Sequence, residues 1–578
     1  MSVIIIRYKK TVRNLLCRFF SKILKDIIVK IDKNDKKKQF KTAKTVRFDQ
    51  KTLTNSRNKS KINSDTKNNE NYSKRSRGHI LEKKELTRGS GILLAISSLP
   101  SSYGIGTLGN AAFRFVDLLV DLKQKYWQVL PIGPTSFGDS PYQAMSAFAG
   151  NPYLIDLDNL IHEGLLSQDE ISSYKWGNDR TGIDYAVLFE NRYKILRQAF
   201  GRFRREQEAF LKFQMEQKDW LEDYALFMAI KHEHHDESWE RWEEDLRKRE
   251  PAALENSRER LKEDICFWKF CQYEFYNQWK ALKEYANTRG VRIIGDVSFY
   301  IGLDSADVWA NQELFLLEPD GTPSSVAAAV PDKFSSHGQV WGNPVYNWKR
   351  MEENGFLWWK RRILNRTKMF DVIRIDHFLG IVKDYTVPYG AWNASNGKWL
   401  KGPGRKLTNA LNEVIGDCFF IADDYGGKTP VPGVKKLLDK AGWPGMKVLM
   451  FAFDGDTANE HLPHNYIDHH TVVYAGTHDN ETIVGYFHEK TEYELAYLYE
   501  YLNISSKEDI PDALIRAAYA STADIAIIQM QDVLKLGNEA RMNAPSTVGL
   551  NWRWRLGTEQ LSEERRTWIR NLAAVYRR

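Results

Sequence analysis

From about residue 88 onward, short apolar runs alternate with longer amphipathic stretches. The runs are Gly91–Ser97, Tyr126–Ile132, Val291–Phe299, Phe370–Phe378, Cys418–Asp424, Lys447–Phe453 and Thr471–Thr477, with an eighth at Ile525–Met530. Short apolar runs of this kind are candidate strands. Strands separated by helices imply a parallel sheet. Eight such units predict an α/β fold, a (β/α)8 TIM barrel, with its active site at the C-terminal ends of the strands. Between Asn151 and Gly290 the pattern turns almost wholly helical and rich in charge and Trp. One barrel crossover does not need so many residues. A helical insertion over about 155–290 is expected, its last helix running from Phe267 to Ala286 back into the barrel.

The chain before residue 88 differs. Val12, Leu15, Leu16, Phe19, Phe20, Ile23, Leu24, Ile27 and Ile28 share one face of a helix, with Arg13, Arg18, Lys22 and Lys25 elsewhere on it. A basic amphipathic helix over 12–28 suits weak contact with an anionic membrane surface; packing on the chain's own body is the alternative. From Lys30 to about Arg88, Lys, Asn and Ser dominate, and disorder is expected because little apolar surface is available to offset ordering entropy. Residues 1–87 are therefore assigned to a basic, largely disordered extension and 88–578 to the barrel.

Charge sharpens that division. The formal net charge of the 578 residues is +8, which invites a nucleic-acid reading. Residues 1–88 hold 26 Lys and Arg against 8 Asp and Glu, a formal +18, and the rest hold 57 against 67, a formal −10. The body thus has no phosphate-binding excess, and no nucleic-acid partner is expected. No run of about eighteen apolar residues occurs, which excludes a spanning helix. No compact apolar core ends at a small-residue cleavage site, so a cytoplasmic location is expected. The four cysteines are too few for a disulfide framework, and Cys266 and Cys271 fall on different helical faces.

Three strands end in acids. Phe370–His377 places Arg374 and Asp376 two apart, on one side of a strand; Cys418–Asp424 ends in Asp423 and Asp424; Val472–Asn480 ends in His478 and Asp479. In a barrel these ends converge on one mouth. A trio of carboxylates with an Arg and a His suits glycosidic chemistry: one attacks the anomeric carbon, one protonates the leaving oxygen, and others stabilise the oxocarbenium-like state. The Arg beside the attacking carboxylate is expected to keep it ionised. A metal site is the competing reading, but little imidazole accompanies these acids and no H-x-H opens the first strand. His232-Glu-His-His-Asp236 reads as a solvated helix end in the insertion. Tyr103, Tyr142, Trp309, Trp341, Tyr346, Trp392 and Trp399 lie near Gly and Asn, and such rings can stack on the C–H faces of sugars.

From about Arg88 to Leu556 the sequence resembles the 4-α-glucanotransferases (amylomaltases, or disproportionating enzymes) of the α-amylase-like clan. The segments that carry the resemblance include Gly91–Pro100, Gly138-Asp-Ser-Pro-Tyr-Gln143, Gly338-Gln-Val-Trp-Gly-Asn-Pro344, Arg374-Ile-Asp-His377, Leu462-Pro-His-Asn-Tyr466, Gly476-Thr-His-Asp-Asn480 and Ala540-Arg-Met-Asn543. The resemblance implies Asp376 as nucleophile, Asp423 as general acid/base and Asp479 as the acid that grips the sugar hydroxyls. It implies Arg374, His478, Tyr142, Ser140 and His377 as substrate-binding residues. Gln339, Trp341 and Asn343 would lie on a loop over the acceptor side. The implied reaction is retaining transfer of α-1,4-glucan segments to a 4-OH of glucose or a maltooligosaccharide, with no metal or organic cofactor. The family reads Ala-Glu-Asp-Leu-Gly where this chain reads Ala422-Asp-Asp-Tyr-Gly426, so the general acid is one methylene shorter. Val297–Phe299, Lys333, Leu379 and Thr386 also depart from the family pattern, each at an expected sugar contact. An impaired glucan-binding homologue and an α-1,4-glucan hydrolase are the alternative readings.

Overall fold

A computed structural model describes residues 86–136, 138–331, 335–424, 433–557 and 561–578. The helix expected over 12–28, the segment up to residue 85 for which disorder was expected, and Lys333 lie outside the described residues. No described helix is long and apolar enough to cross a membrane.

Twelve strands occur among the described residues. Numbered along the chain, they are β1 (Gly89–Leu93), β2 (Tyr126–Gln128), β3 (Arg292–Val297), β4 (Ser325–Ala329), β5 (Gln339–Pro344), β6 (Val372–Ile375), β7 (Lys383–Pro388), β8 (Lys398–Lys401), β9 (Phe419–Ala422), β10 (Gly445–Val448), β11 (Thr471–Tyr474) and β12 (Ile525–Gln529). Eight of them pair in parallel in the order β10-β11-β12-β1-β2-β3-β6-β9. The two ends of this order meet where the Ala422 N–H donates to the Pro444 carbonyl at 2.9 Å. The result is a nearly closed (β/α)8 barrel. Every residue of β1 and β12 is buried, because helices cover the outside and side chains fill the inside. That double burial produces the apolar runs. The run Lys447–Phe453 is offset: the strand is Gly445–Val448, and Leu449–Phe451 is a 3-10 turn.

Between β2 and β3 the chain is helical, with long helices at Tyr185–Arg202, Glu208–Glu233 and Lys262–Thr288. The last of these steadies the loop that follows β2. Its buried Gln272 accepts from the Gly150 N–H at 2.7 Å and donates to the Gly150 carbonyl at 2.9 Å. The Tyr276 hydroxyl donates to the Phe148 carbonyl at 2.8 Å. At the end of the second helix, His234 pairs with Glu243 at 2.8 Å and lies tilted against Trp242, a helix-end contact.

A second sheet was not expected from the pattern. It is antiparallel, ordered β5-β4-β7-β8, around a small core of Val326, Ala328, Tyr385, Val387 and Ala394. Gln339, Trp341 and Asn343 therefore sit on a strand, β5, rather than on a loop.

Candidate active site

Adjacent strands β3, β6 and β9 set the floor of the barrel mouth. Asp296 on β3 is in register with Arg374 on β6, which is in register with Ile421 on β9. Gly295 makes the β3–β6 approach possible: a Cβ there would lie 2.1 Å from the Phe370 ring. Arg374 is 4 % exposed and bonds to three carboxylates. Its Nη1 donates to both oxygens of Asp296 at 2.7 Å and to Asp376 Oδ1 at 3.1 Å, and its Nη2 donates to Asp423 Oδ2 at 2.8 Å. The His377 backbone N–H adds a bond to the same Asp423 oxygen at 3.3 Å. Asp376 and Asp423 follow the last residues of β6 and β9, so both project from strand ends into the mouth.

This arrangement corrects the expectation that Arg374 keeps Asp376 ionised. Burial pushes the Asp376 carboxyl well above the usual range; Arg374 pulls it down, but Asp296, Asp423 and Asp479 push it up again. One guanidinium is shared among three acids, and Asp376 holds the longest of its bonds. Asp296 is fully buried and was not singled out from the sequence, because it lies inside an apolar run rather than at its end.

Opposite this floor, Tyr142 donates its hydroxyl to Asp296 Oδ2 at 2.9 Å. Its ring stacks on His478 with centroids 5.2 Å apart and planes 12° apart. Trp552 lies against both rings, at 5.7 Å and 6.0 Å. The buried His478 places Nε2 3.6 Å from Asp479 Oδ2. Asp479 is half-exposed and accepts from Asn543 Nδ2 at 2.6 Å, while Arg541 donates to its carbonyl at 3.0 Å. Trp552 and Asn543 are two further residues the sequence reading did not place in the site. They come from the segment after β12, where no strand-end pattern marks them.

The remaining wall comes from the second sheet. Trp341 meets His377 edge-on at 4.8 Å and tilts over Tyr300 at 6.0 Å. Gln339 Oε1 accepts from Trp341 Nε1 at 3.2 Å. Asn343 is buried, exchanges bonds with Gln143 at 2.9 and 3.1 Å and donates to the Ile301 carbonyl at 2.9 Å, so it pins β5 to the barrel. His377 adopts a positive φ of 48° directly after Asp376, a conformation unusual for a non-glycine residue. Its buried Nε2 has no partner in the protein, and burial lowers its pKa to about 4, so the ring is neutral.

All eleven residues singled out from the sequence, Ser140 included, line one cleft of about 590 Å³. Ser298 and Leu379 line it too, whereas Thr386 is buried in the second sheet, its hydroxyl near the Lys398 carbonyl at 3.4 Å. Of the aromatics expected in a sugar groove, Tyr142, Trp341 and Trp399 line the cleft. Trp309 and Tyr346 instead belong to the core, Tyr103 is buried against Asp158, and Trp392 is 86 % exposed.

Comparison with known proteins agrees with this geometry. The family profile described as 4-alpha-glucanotransferase matches residues 94–560. A 4-alpha-glucanotransferase of Clostridium butyricum is 46% identical over 488 residues, 84% of this chain and 99% of the relative. One of Thermus thermophilus is 44% identical over 505 residues, 86% of this chain and 100% of the relative. The structure of an amylomaltase from Streptococcus agalactiae in complex with acarbose superposes with a TM-score of 0.82 at 41% identity, covering 85% of this chain and 99% of that one. A barrel of this order, a profile match across most of its length and relatives of this identity lead to one conclusion: the chain belongs to the 4-alpha-glucanotransferase family.

Proposed function

We propose that the protein is a retaining 4-α-glucanotransferase acting in the cytoplasm on α-1,4-glucans and maltooligosaccharides. The observation that carries this reading is the cluster of Asp376 and Asp423 on one guanidinium at the barrel mouth, with Asp479 on the facing wall. In the first step an Asp376 oxygen attacks the anomeric carbon. Asp423 gives its proton to the glycosidic oxygen, and the segment on the reducing side leaves. In the second step Asp423, now ionised, takes the proton of an acceptor 4-OH. That oxygen attacks the anomeric carbon and the bond to Asp376 breaks. Asp479 and His478 accept and orient hydroxyls of the sugar under attack. The unpartnered Nε2 of His377 offers a further polar contact inside the cleft. Tyr142 supplies an apolar ring face beside it. Transfer outcompetes hydrolysis when the acceptor excludes water, a role that suits Trp341 and Trp399 on the second sheet.

One observation favours a reduced rate. Asp423 is the shorter acid, and two hydrogen bonds draw the same oxygen back towards β6. Incubation with maltotriose and separation of products tests the reading. Glucose together with maltopentaose and longer chains is the expected outcome. Glucose and maltose alone would make the protein a hydrolase, and binding without turnover would make it an impaired homologue.

A further inference from the structure

Strands β10 and β11 are joined without an α-helix. From Leu449 to His470 the chain forms only the 3-10 turns Leu449–Phe451 and Pro463–Asn465. Each of the other barrel crossovers carries at least one helix of eight residues or more. The missing layer leaves a groove of about 1250 Å³ between the helices Val434–Ala441 and Glu492–Leu502. That exceeds the roughly 300–1,000 Å³ of a small-ligand pocket and suits an extended molecule.

Three features identify what would lie there. The groove borders the catalytic cleft, since Met446 and Phe451 line both. Its outer part is aromatic without being closed: Phe453 packs 6.4 Å from Tyr497, Tyr486 is half-buried, and Tyr493 is 91 % exposed at the first turn of its helix. Asp454, Asp456 and Glu494 line the same stretch and present acceptors beside the rings. Ring faces for C–H surfaces among carboxylates for hydroxyls match a neutral polyhydroxylated chain, and the seven acids around the groove outnumber Lys435, Lys447 and Lys490, which disfavours an anionic polymer.

We propose that this groove binds a second stretch of α-1,4-glucan, the part of a long chain that continues past the catalytic cleft. The inference rests on the transferase reading above. It makes the barrel side wall a determinant of chain-length preference, apart from the residues that do the chemistry.

The test compares maltotriose with amylose of defined average length. Two variants are used: the double substitution Tyr493→Ala/Tyr497→Ala, and Ala496→Arg, which leaves every ring in place and fills the groove. In both, the KM for amylose should rise about threefold to tenfold, the effect of losing one or two ring contacts. Turnover of maltotriose, too short to leave the cleft, should stay within about twofold by the same reasoning, since these residues touch no reacting atom. An unchanged amylose KM in a variant that melts normally would overturn the proposal, and so would an equal loss on both substrates. If the unaltered chain turned over neither substrate, the transferase reading itself would fall.

Discussion

The shortened acid gives the sharpest test of how this site works. Asp423 Oδ2 is held by Arg374 at 2.8 Å and by the His377 N–H at 3.3 Å. Both donors lie on the β6 side of the mouth, so the carboxyl cannot advance towards a glycosidic oxygen without giving them up. Asp423→Glu adds one carbon–carbon bond of about 1.5 Å, which moves the carboxyl outward by about 1 Å. A misplacement of about 1 Å can cost about 100-fold in rate, or about 2.7 kcal/mol of barrier. The substitution should therefore raise kcat on maltotriose by about 10- to 100-fold. Because the acid acts in the transition state, KM should change little. Initial rates of glucose release, with maltopentaose and longer products resolved, measure this and separate transfer from hydrolysis. A kcat that is unchanged or lower, in a variant that melts like the parent, would refute the account of the short acid.

Asp376→Ala should abolish transfer, to below about a thousandth of the parent rate, while leaving the melting temperature near that of the parent. Asp296→Asn removes one of the charges that push Asp376 upward and frees Arg374 for it. The acid limb of the kcat/KM profile should then move to lower pH, and a limb that stays or moves up would contradict the shared-guanidinium argument. Glu274 is 1% exposed, and burial with the nearby Glu163 raises its pKa to about 9. Its folded-state proton is worth most below the ordinary Glu pKa, and that stability is lost as pH climbs towards 9. Glu274→Gln should thus raise the melting temperature at pH 8, by on the order of 2–4 kcal/mol of stability, and give no gain near pH 4, which thermal scans at the two pH values check.

The eight barrel strands were legible because double burial leaves apolar runs with sharp ends, and the acids at those ends were legible because they break the runs. Asp296 was not, since an acid in mid-run reads as an interruption until the register sets it beside Arg374. The second sheet left little trace either. Ser325–Ala329 is mostly alanine and Lys398–Lys401 is mostly exposed, so neither shows the alternation or the apolar density that marks a strand. Trp552 reaches the site from the segment after β12 through tertiary packing that no local pattern encodes, whereas Asn543 ends the Ala540–Asn543 motif, whose spacing alone does not tell that it bonds Asp479.

The electrostatics of the mouth follow from that same register. Three acids, Asp296, Asp376 and Asp423, share one buried guanidinium, with Asp479 near enough to raise Asp376 further, and burial makes each uncompensated negative charge costly. Such a cluster lowers its energy by taking up a proton, which a retaining transferase must hold before it can release a leaving group. Burial and the neighbouring acids favour the protonated form of Asp376 in the substrate-free site, whereas its attack on the anomeric carbon requires the ionised form. Binding of a sugar must therefore shift Asp376 towards its ionised form. Arg374, bonded to both Asp296 and Asp376, is placed to stabilise negative charge on that side of the mouth when Asp376 ionises. On this reasoning Asp296 is a positioning residue, since it sets how much of Arg374 is left for the two acids that react.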